Sequence, residues 1–130
     1  MAALTQDADT KSRDGVDFDF PVAAGAWIHA GAVVALNSTG FAVPGTAATG
    51  LQSVGVAQAG ADNRTGVDGR QYVSVRRGVF LLGASGTIGR ADIGKPCYIM
   101  DDNTVTLSAT DKSFAGIIRD VGNGGVWVEF

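Results

Sequence analysis

Three glycines of this 130-residue chain have the spacing of a nucleotide-binding loop. In "VFLLGASGTIGR", an apolar run leads into Gly83, Gly86 and Gly89. Dinucleotide-binding folds hold a pyrophosphate with such a stretch, because glycine lets the backbone approach phosphate at a helix N-terminus. Asp101 and Asp102 follow at about the distance at which such folds bind the ribose hydroxyls. The pattern therefore raises the question of a bound cofactor.

The residues after Gly89 do not allow the helix that such a loop requires. The stretch "RADIGKP" places Gly94 and Pro96 inside that helix, and both residue types break helices. Only 41 residues remain after Gly89, whereas each further parallel strand needs a crossover of a dozen residues or more. We therefore expect no cofactor: the glycines are predicted to form a turn from Gly83 to Gly86 and to bound a short element at Gly89.

The other reactive side chains do not combine into an active site. His29 is the only histidine and lies in a segment without charges, which favours a core or interface residue over a general base. Cys97, the only cysteine, excludes an internal disulfide and is predicted to be a buried thiol. Asp101 and Asp102 open the turn "DDNT", where such side chains bond the local backbone and where a weak calcium site is an alternative. We expect no catalytic residue and no metal site.

The composition indicates short strands joined by tight turns. There are 19 Gly but only one Glu and three Lys, which disfavours long amphipathic helices. Apolar or β-branched runs alternate with turn signals such as "NSTG", "GADNRTGVDG" and "GNGG". We predict an all-β fold, either a compact β-sandwich or a β-barrel. The aromatic residues Phe114, Trp127 and Phe130 alternate in strands or close them and are interpreted as core residues.

A weak internal repeat divides the chain into two halves. "AGAVVALNSTGFAV", "SVGVAQ" and "QYVSV" parallel "IGKPCYIMDDNTVTL", "FAGIIRD" and "GVWVEF", with Gly31 and Gly94 spaced by 63 residues and Gly55 and Gly116 by 61. We predict a single β-domain over residues 16–130. Its two related β-modules are predicted at about 21–82 and 83–130, with "LLGASGTIG" in the connection. Residues 1–15 are polar and are predicted to be a flexible N-terminal arm.

Two features predict contacts with other chains. The stretch "VDFDF" alternates apolar and acidic residues, so it is either the first strand of the domain or an arm that adds to a partner's sheet. The 41 residues from Pro21 to Ala61 contain no charge, which indicates burial against the chain's own core or a neighbouring subunit. The pair "RR" at 76–77 is interpreted as a solvated strand end or a subunit contact. The expected contact residues are Val16, Phe18, Phe20, Trp27, His29, Arg76 and Arg77.

The charge distribution limits the possible partners. Residues 1–20 contain five acids and two bases, and the remaining residues contain eight of each, within a net charge of −3. No basic stripe could follow a phosphate backbone, so nucleic-acid binding is not expected. No apolar window approaches the length of a membrane span, so membrane binding is not expected, and synthesis in the cytoplasm is the default.

The order of these features resembles the small head decoration, or capsid cement, proteins of tailed bacteriophages. The likeness rests on "GVAQAGA", "RRGVFLLGAS" and the C-terminal "IGKPCYIMDDNTVTLSATDKSFAGIIRDVGNGGVWVEF", and it covers roughly residues 20–130. Lys95 and Pro96 replace the acidic residue usual after the glycine, and the acidic arm has no counterpart. The positions of the family pattern are occupied by Gly94, Tyr98, Asp101, Asp102, Asn103, Val105, Thr106, Gly116, Ile117 and Val128.

This resemblance implies a structural, non-enzymatic virion protein. It would form a homo-oligomer, with a trimer favoured and a dimer possible, on the outer surface of the capsid in the virion. There it would bridge neighbouring copies of the major capsid protein and strengthen the head against packaged DNA. Its binding to expanded capsids is expected to be lost, with the folded oligomer retained, when residues 2–20 are deleted. The alternatives are a carbohydrate-binding or adhesin-like β-module and a small trimeric β-enzyme acting on nucleotides.

Overall fold

The computed structural model describes residues 3–122 and 124–130. Within those residues the chain is all-β, as predicted, and residues 3–16 precede the first strand. The strands are Asp17–Pro21 (β1), Trp27–Ile28 (β2), Val33–Leu36 (β3), Ala42–Pro44 (β4), Gln52–Ala57 (β5), Ala61–Asp62 (β6), Tyr72–Arg76 (β7), Val79–Ser85 (β8), Pro96–Ile99 (β9), Thr104–Thr106 (β10), Phe114–Gly122 (β11) and Gly125–Glu129 (β12). A short 3-10 turn at Arg90–Asp92 precedes β9.

The first seven strands form what we call module 1. Five of them make one sheet in the order β1-β7-β5-β3-β4, and β2 pairs with β6 in a separate two-stranded sheet. All of these ladders are antiparallel. A single parallel bridge, between Val22 just after β1 and Ala42 of β4, links the two outer strands of the five-stranded sheet. The larger sheet of module 1 is thus a five-stranded sheet whose two outer strands meet at one bridge.

The last five strands form module 2, which is a closed barrel in the order β10-β8-β12-β11-β9. Closure comes from the parallel pairing of β8 with β10, which extends from Gly83 opposite Thr104 to Ser85 opposite Thr106. Full closure leaves few unpaired backbone groups at the sheet margins.

The two modules have the same strand order. Starting at β8, the barrel reads β8-β12-β11-β9-β10, which matches β1-β7-β5-β3-β4 strand for strand. Matching backbone hydrogen bonds recur: the Gly31 N–H donates to the Ala57 carbonyl at 2.8 Å, and the Gly94 N–H donates to the Ile118 carbonyl at 2.7 Å. Both glycines have positive φ angles, 87° and 93°, which explains why the repeat requires glycine there. The predicted similarity of the two halves is therefore present in their topology.

The change of module lies N-terminal to the predicted division at 82 and 83. Module 1 ends with β7 at Arg76, and β8 is the counterpart of β1 rather than a connection. The predicted turn from Gly83 to Gly86 is wrong for its first three residues, which belong to β8. Gly83 stays in the strand because its N–H donates to the Asn103 carbonyl at 2.9 Å, while Gly86, with φ of 80°, lies just after the strand. No long helix follows Gly89 in the described residues.

The modules are joined through β3, which is buried on both faces. Val34 packs in the apolar core of module 1, whereas its neighbours Val33 and Ala35 pack in the core of module 2. Side chains on a strand alternate between its faces, so one strand serves both cores. This arrangement explains part of the absence of charged residues from Pro21 to Ala61, because a strand with two buried faces has no position for a charge.

Two aromatic residues that the sequence predicts in the core lie on the outside of module 2. Phe114 is 45% exposed, and Trp127 is half-buried between the buried Val126 and Val128. Strand alternation places Trp127 on the outside, since Val126 and Val128 on either side of it both point inward. Phe130 is half-buried and packs against the core of module 2. Among the residues that the structure describes, no helix has the length and apolar character needed to cross a bilayer.

Candidate functional site

The apolar face of β1 belongs to the chain's own sheet. Phe18 lies opposite Val75 and Phe20 opposite Val73, so the interpretation as the first strand of the domain describes these residues in this chain. Val16, just before β1, is 47% exposed, and its carbonyl accepts a hydrogen bond from the Arg77 N–H at 2.7 Å. The Phe18 and Phe20 rings are stacked, 6.1 Å apart, and both are half-buried. Part of their surface remains available to a ligand.

That available surface lines a groove between the two modules. The groove has a volume of about 480 Å³, and phenylalanines from both modules contribute to it: Phe18, Phe20, Phe114 and Phe130. Arg13 of the N-terminal segment also lines the groove, with its guanidinium 4.9 Å from the centre of the Phe18 ring. An aromatic ring attracts a cation placed over its face. The groove therefore combines an apolar floor with arginine at its margin.

The two adjacent arginines at the end of β7 point in different directions. Arg76 pairs with Asp17 of β1, with Nε 3.0 Å from Oδ1, and its hydrogen bond to that carboxylate raises the pKa of Arg76. Arg77 instead lines the groove. Neighbouring residues of an extended chain face opposite sides of the sheet, which separates the two side chains of the predicted pair.

A second cluster surrounds Trp27, which is 43% exposed. Strands β2 and β6 place Trp27 directly opposite Asp62. The Arg64 guanidinium lies 3.7 Å from the centre of the Trp27 ring and forms two hydrogen bonds to the Asp62 carboxylate, of 2.9 Å from Nε and 2.8 Å from Nη2. The His29 ring lies 4.4 Å from Trp27. The four side chains form an exposed platform, which we call the Trp27 cluster.

Electrostatics hold the arginine of this cluster in place. The side-chain hydrogen bond from Arg64 lowers the pKa of Asp62 from 3.8 to about 2, helped by the Arg64 backbone N–H, which also donates to this carboxylate. The same pair raises the pKa of Arg64. A guanidinium fixed by two carboxylate bonds loses less freedom when it binds a partner. The Trp27 ring is thus presented in an ordered setting.

The loop after β6 is held by a buried asparagine. Asn63 is only 1% exposed, and its Nδ2 group donates to the carbonyls of Val22, Ala23 and Val67 at 2.9–3.0 Å. These bonds tie the loop that contains Arg64 to the end of β1. Gly66 lies so close to the Asn63 Oδ1 atom that a side chain at that position would collide with it.

Two of the residues considered for chemistry, Cys97 and Asp101, have structural roles. Cys97 is buried, burial raises its pKa to about 11, and its thiol donates to the Gly116 carbonyl. Asp101 accepts a hydrogen bond from the Asn103 N–H at 2.8 Å, which is the backbone bond expected of the "DDNT" turn. Within residues 3–122 and 124–130, no group of three or more His, Cys, Asp or Glu side chains is placed to hold a metal ion.

The structure separates the predicted contact residues into four places. Trp27 and His29 lie together in the Trp27 cluster, and Arg76 lies on the outer face of module 1. Phe18, Phe20 and Arg77 line the groove, whereas Val16 is exposed just before β1. The sequence analysis missed Arg13, Arg64 and Phe114. Arg64 had one usable signal, the sequence "DNR", in which an Asp two residues before an Arg can bond both its backbone and its side chain.

Comparisons with known proteins give no relative for this chain. No protein-family model matches it, no curated protein matches it, and no solved structure matches it.

Proposed function

We propose that this chain is a structural virion protein that binds the outer surface of a tailed-phage capsid and bridges neighbouring major capsid subunits. The proposal begins from the resemblance of residues 20–130 to head decoration proteins. Two glycines of that resemblance, Gly94 and Gly116, lie at positions where the fold needs a positive φ or a close backbone approach. The family pattern thus coincides with the structural repeat of this chain.

The Trp27 cluster is the observation that carries the proposal. Trp and Arg are the residue types that contribute most to protein–protein binding, above all when they are held rigid. Here Trp27 stays 43% exposed although it lies in a strand, and Arg64 is fixed against it by Asp62. An exposed aromatic ring with an ordered arginine is suited to a protein surface that offers an apolar pocket and an acidic group.

Bridging requires more than one contact on each molecule. The groove between the modules, bordered by Phe18 and Phe114, is a second surface with exposed aromatic area. Two weak contacts on one rigid molecule act together, because after the first has formed the second is favoured by proximity. Repeated over a shell, such pairs would resist the separation of capsid subunits under the pressure of packaged DNA.

Co-sedimentation with phage heads tests the proposal. Expanded heads built from the major capsid protein of the same genome are mixed with the purified chain and pelleted. We expect saturable binding with a fixed ratio of chain to capsid subunit. Absence of the chain from the pellet at all ratios would reject the proposal. A major capsid gene directly beside the gene for this chain would support it independently.

A carbohydrate-binding module is the second candidate, and the exposed ring of Trp27 is the observation that favours it. Such modules use open aromatic platforms against the face of a sugar. In this chain the Arg64 guanidinium lies over the ring at 3.7 Å, which leaves less of its face for a sugar. A glycan array separates the two candidates, since a protein-binding surface should retain no glycan.

A further inference from the structure

The two modules allow an internal comparison of one surface, the outer face of the first two strands of each sheet. Because β1 matches β8 and β7 matches β12, each outward position has a counterpart in the other module. In module 1 these positions hold polar residues, namely Asp17, Asp19, Ser74 and Arg76. In module 2 the same positions hold Val79, Leu81, Trp127 and Glu129.

The apolar side chains of module 2 on this face are exposed. Val79 is 47% and Leu81 is 41% exposed, and Trp127 beside Leu81 is half-buried. The fold itself does not require them, since module 1 forms the same strands with Asp17 and Asp19 at the corresponding positions. Adjacent exposed apolar side chains mark a surface that another molecule covers.

The first part of β8 also has a free edge, on the side away from β12. From Val79 to Leu82, β8 pairs with β12 only, and its pairing with β10 begins at Gly83. The Phe130 N–H donates to the Gly78 carbonyl, so Gly78 and Phe130 form a hydrogen-bonded pair. Hydrogen-bonded and non-hydrogen-bonded pairs alternate along an antiparallel ladder, so the N–H and C=O groups of Val79 and Leu81 point away from β12. Among the described residues no strand lies on that side.

Module 1 protects the corresponding edge. Its positions on β1 are Asp17, Asp19 and Pro21, and charged residues and proline are the residues with which proteins prevent an exposed edge from pairing with another chain. The matching positions on β8 are Val79, Leu81 and Gly83, which provide no such protection. One edge of the duplicated fold is blocked and the other is open.

We propose that two copies of this chain join through β8, edge to edge and antiparallel, around a twofold axis. An antiparallel strand edge is complementary to its own copy, since each N–H meets a carbonyl of the other strand. Val79, Leu81 and Trp127 of both copies then form one apolar patch. The margin of the patch contains both Arg119 and Glu129, which are 2.9 Å apart, so the second copy meets charges of both signs. This proposal goes beyond the proposed function, because it specifies an interface between two copies of the chain.

Mass measurement of the purified full-length chain tests the interface without any capsid. We expect twice the 13.3 kDa chain mass in sedimentation velocity. The double variant Val79→Asp/Leu81→Asp introduces the residues that module 1 uses at these positions, and we expect it to weaken dimerisation about 100-fold or more. Tyr72→Ser is the matched control, because Tyr72 is 63% exposed on β7 of module 1 and its loss should leave the dimer intact.

Hydrogen exchange of the unaltered chain supplies a second test that does not depend on the folding of a variant. The amide protons of Val79 and Leu81 should exchange about tenfold faster or more when the protein is diluted until the dimer dissociates. A monomeric chain, a trimer, a dimer that persists in the double variant, or exchange at these amides that does not depend on concentration would each overturn the proposal. A trimer that still binds heads would reject the β8 interface and leave the proposed function standing.

Discussion

Gly55 and Gly116 occupy the same position in the two modules, and a methyl group on either would collide with a carbonyl oxygen of the adjacent strand. The oxygen belongs to Arg76 of β7 in module 1 and to Glu129 of β12 in module 2. Each glycine lies next to the point where a bulge shifts the strand register. At both positions the backbone of the adjacent strand is so close that no side chain fits between the two chains.

Replacing Gly116 by alanine should destabilise the protein strongly. We expect the free energy of unfolding to fall by about 3 kcal/mol, because the obstacle is backbone and cannot rotate away. Urea denaturation measures the change. Gly89→Ala is the control, since Gly89 has a φ of −119° and a methyl group added there would meet nothing within 4 Å, so its effect should stay below about 1 kcal/mol. Equal effects of the two substitutions would contradict the predicted collision.

Asn63→Ala should also destabilise the protein. The substitution removes the three hydrogen bonds from the Asn63 amide to the carbonyls of Val22, Ala23 and Val67, each of which then keeps only its backbone donor. We expect this loss to cost about 3 kcal/mol. The midpoint of thermal unfolding should fall accordingly. Asn103→Ala serves for comparison, because Asn103 is exposed and bonds Asp101 through its backbone N–H, which alanine retains. A stable Asn63→Ala protein would show that the loop is held by other contacts.

The Trp27 cluster should dominate binding to heads. Trp27→Ala is expected to weaken binding about 30-fold, since a central aromatic anchor contributes about 2 kcal/mol. Arg64→Lys keeps the charge but loses the flat stacking group, and we expect an intermediate loss. Arg90→Ala, which removes an exposed arginine from the 3-10 turn, is the control and should bind like the unaltered chain. Unchanged binding of Trp27→Ala would show that the contact with the heads lies elsewhere on the molecule.

The ion pair of the Trp27 cluster gives a defined pH dependence. The pKa of Asp62 is lowered to about 2, so the pair is fully formed above the ordinary value of 3.8 and is lost as the pH falls through about 2. Titration of the Asp62 carboxyl carbon by NMR should therefore give a pKa near 2. In Arg64→Gln the pKa should return towards 3.8, whereas Arg119→Gln should leave it unchanged. If the pKa of Asp62 stayed near 2 in Arg64→Gln, a group other than the Arg64 guanidinium would be responsible for lowering it.

Deletion of the N-terminal arm must stop before β1. A truncation through residue 20 was expected from the sequence to leave a folded oligomer, but it removes most of Asp17–Pro21, which pairs with β7 along its whole length. Removing residues 2–12 spares β1 and also Arg13, which lies over Phe18. The shorter deletion should keep the unfolding midpoint and reduce binding to heads. Full binding would exclude a role for those residues.

The fold class and the repeat could be predicted because they depend on local signals. Turn residues between apolar runs indicated short strands, and the spacing of Gly31 and Gly94 reflected a positive φ that recurs in each module. The end of β8 was placed too early because the glycines after Leu82 resembled a loop. The hydrogen bond from Gly83 to Asn103 that keeps Gly83 in the strand depends on a residue 20 positions away.

The site was harder to predict than the fold. Trp27 and Arg64 meet only because two strands of two residues each bring distant segments together, and strands that short leave no periodic pattern. Asn63 lies in a polar stretch that indicates an exposed loop, although the structure buries it. The prediction that Trp127 lies in the core was wrong, because strand alternation alone does not tell which of two apolar faces points inward.

The single bridge between Val22 and Ala42 determines how this molecule responds to mechanical load. A force applied to the N-terminal segment reaches β1 first, and β1 is held laterally by its ladder with β7 and by that one bridge. When the N-terminal segment is pulled away from β7, the ladder opens from its Asp17–Arg76 end, so its hydrogen bonds break one after another rather than together in shear. A tether pulled in that direction would therefore yield at low force, while the three parallel pairs between β8 and β10 keep the barrel of module 2 closed.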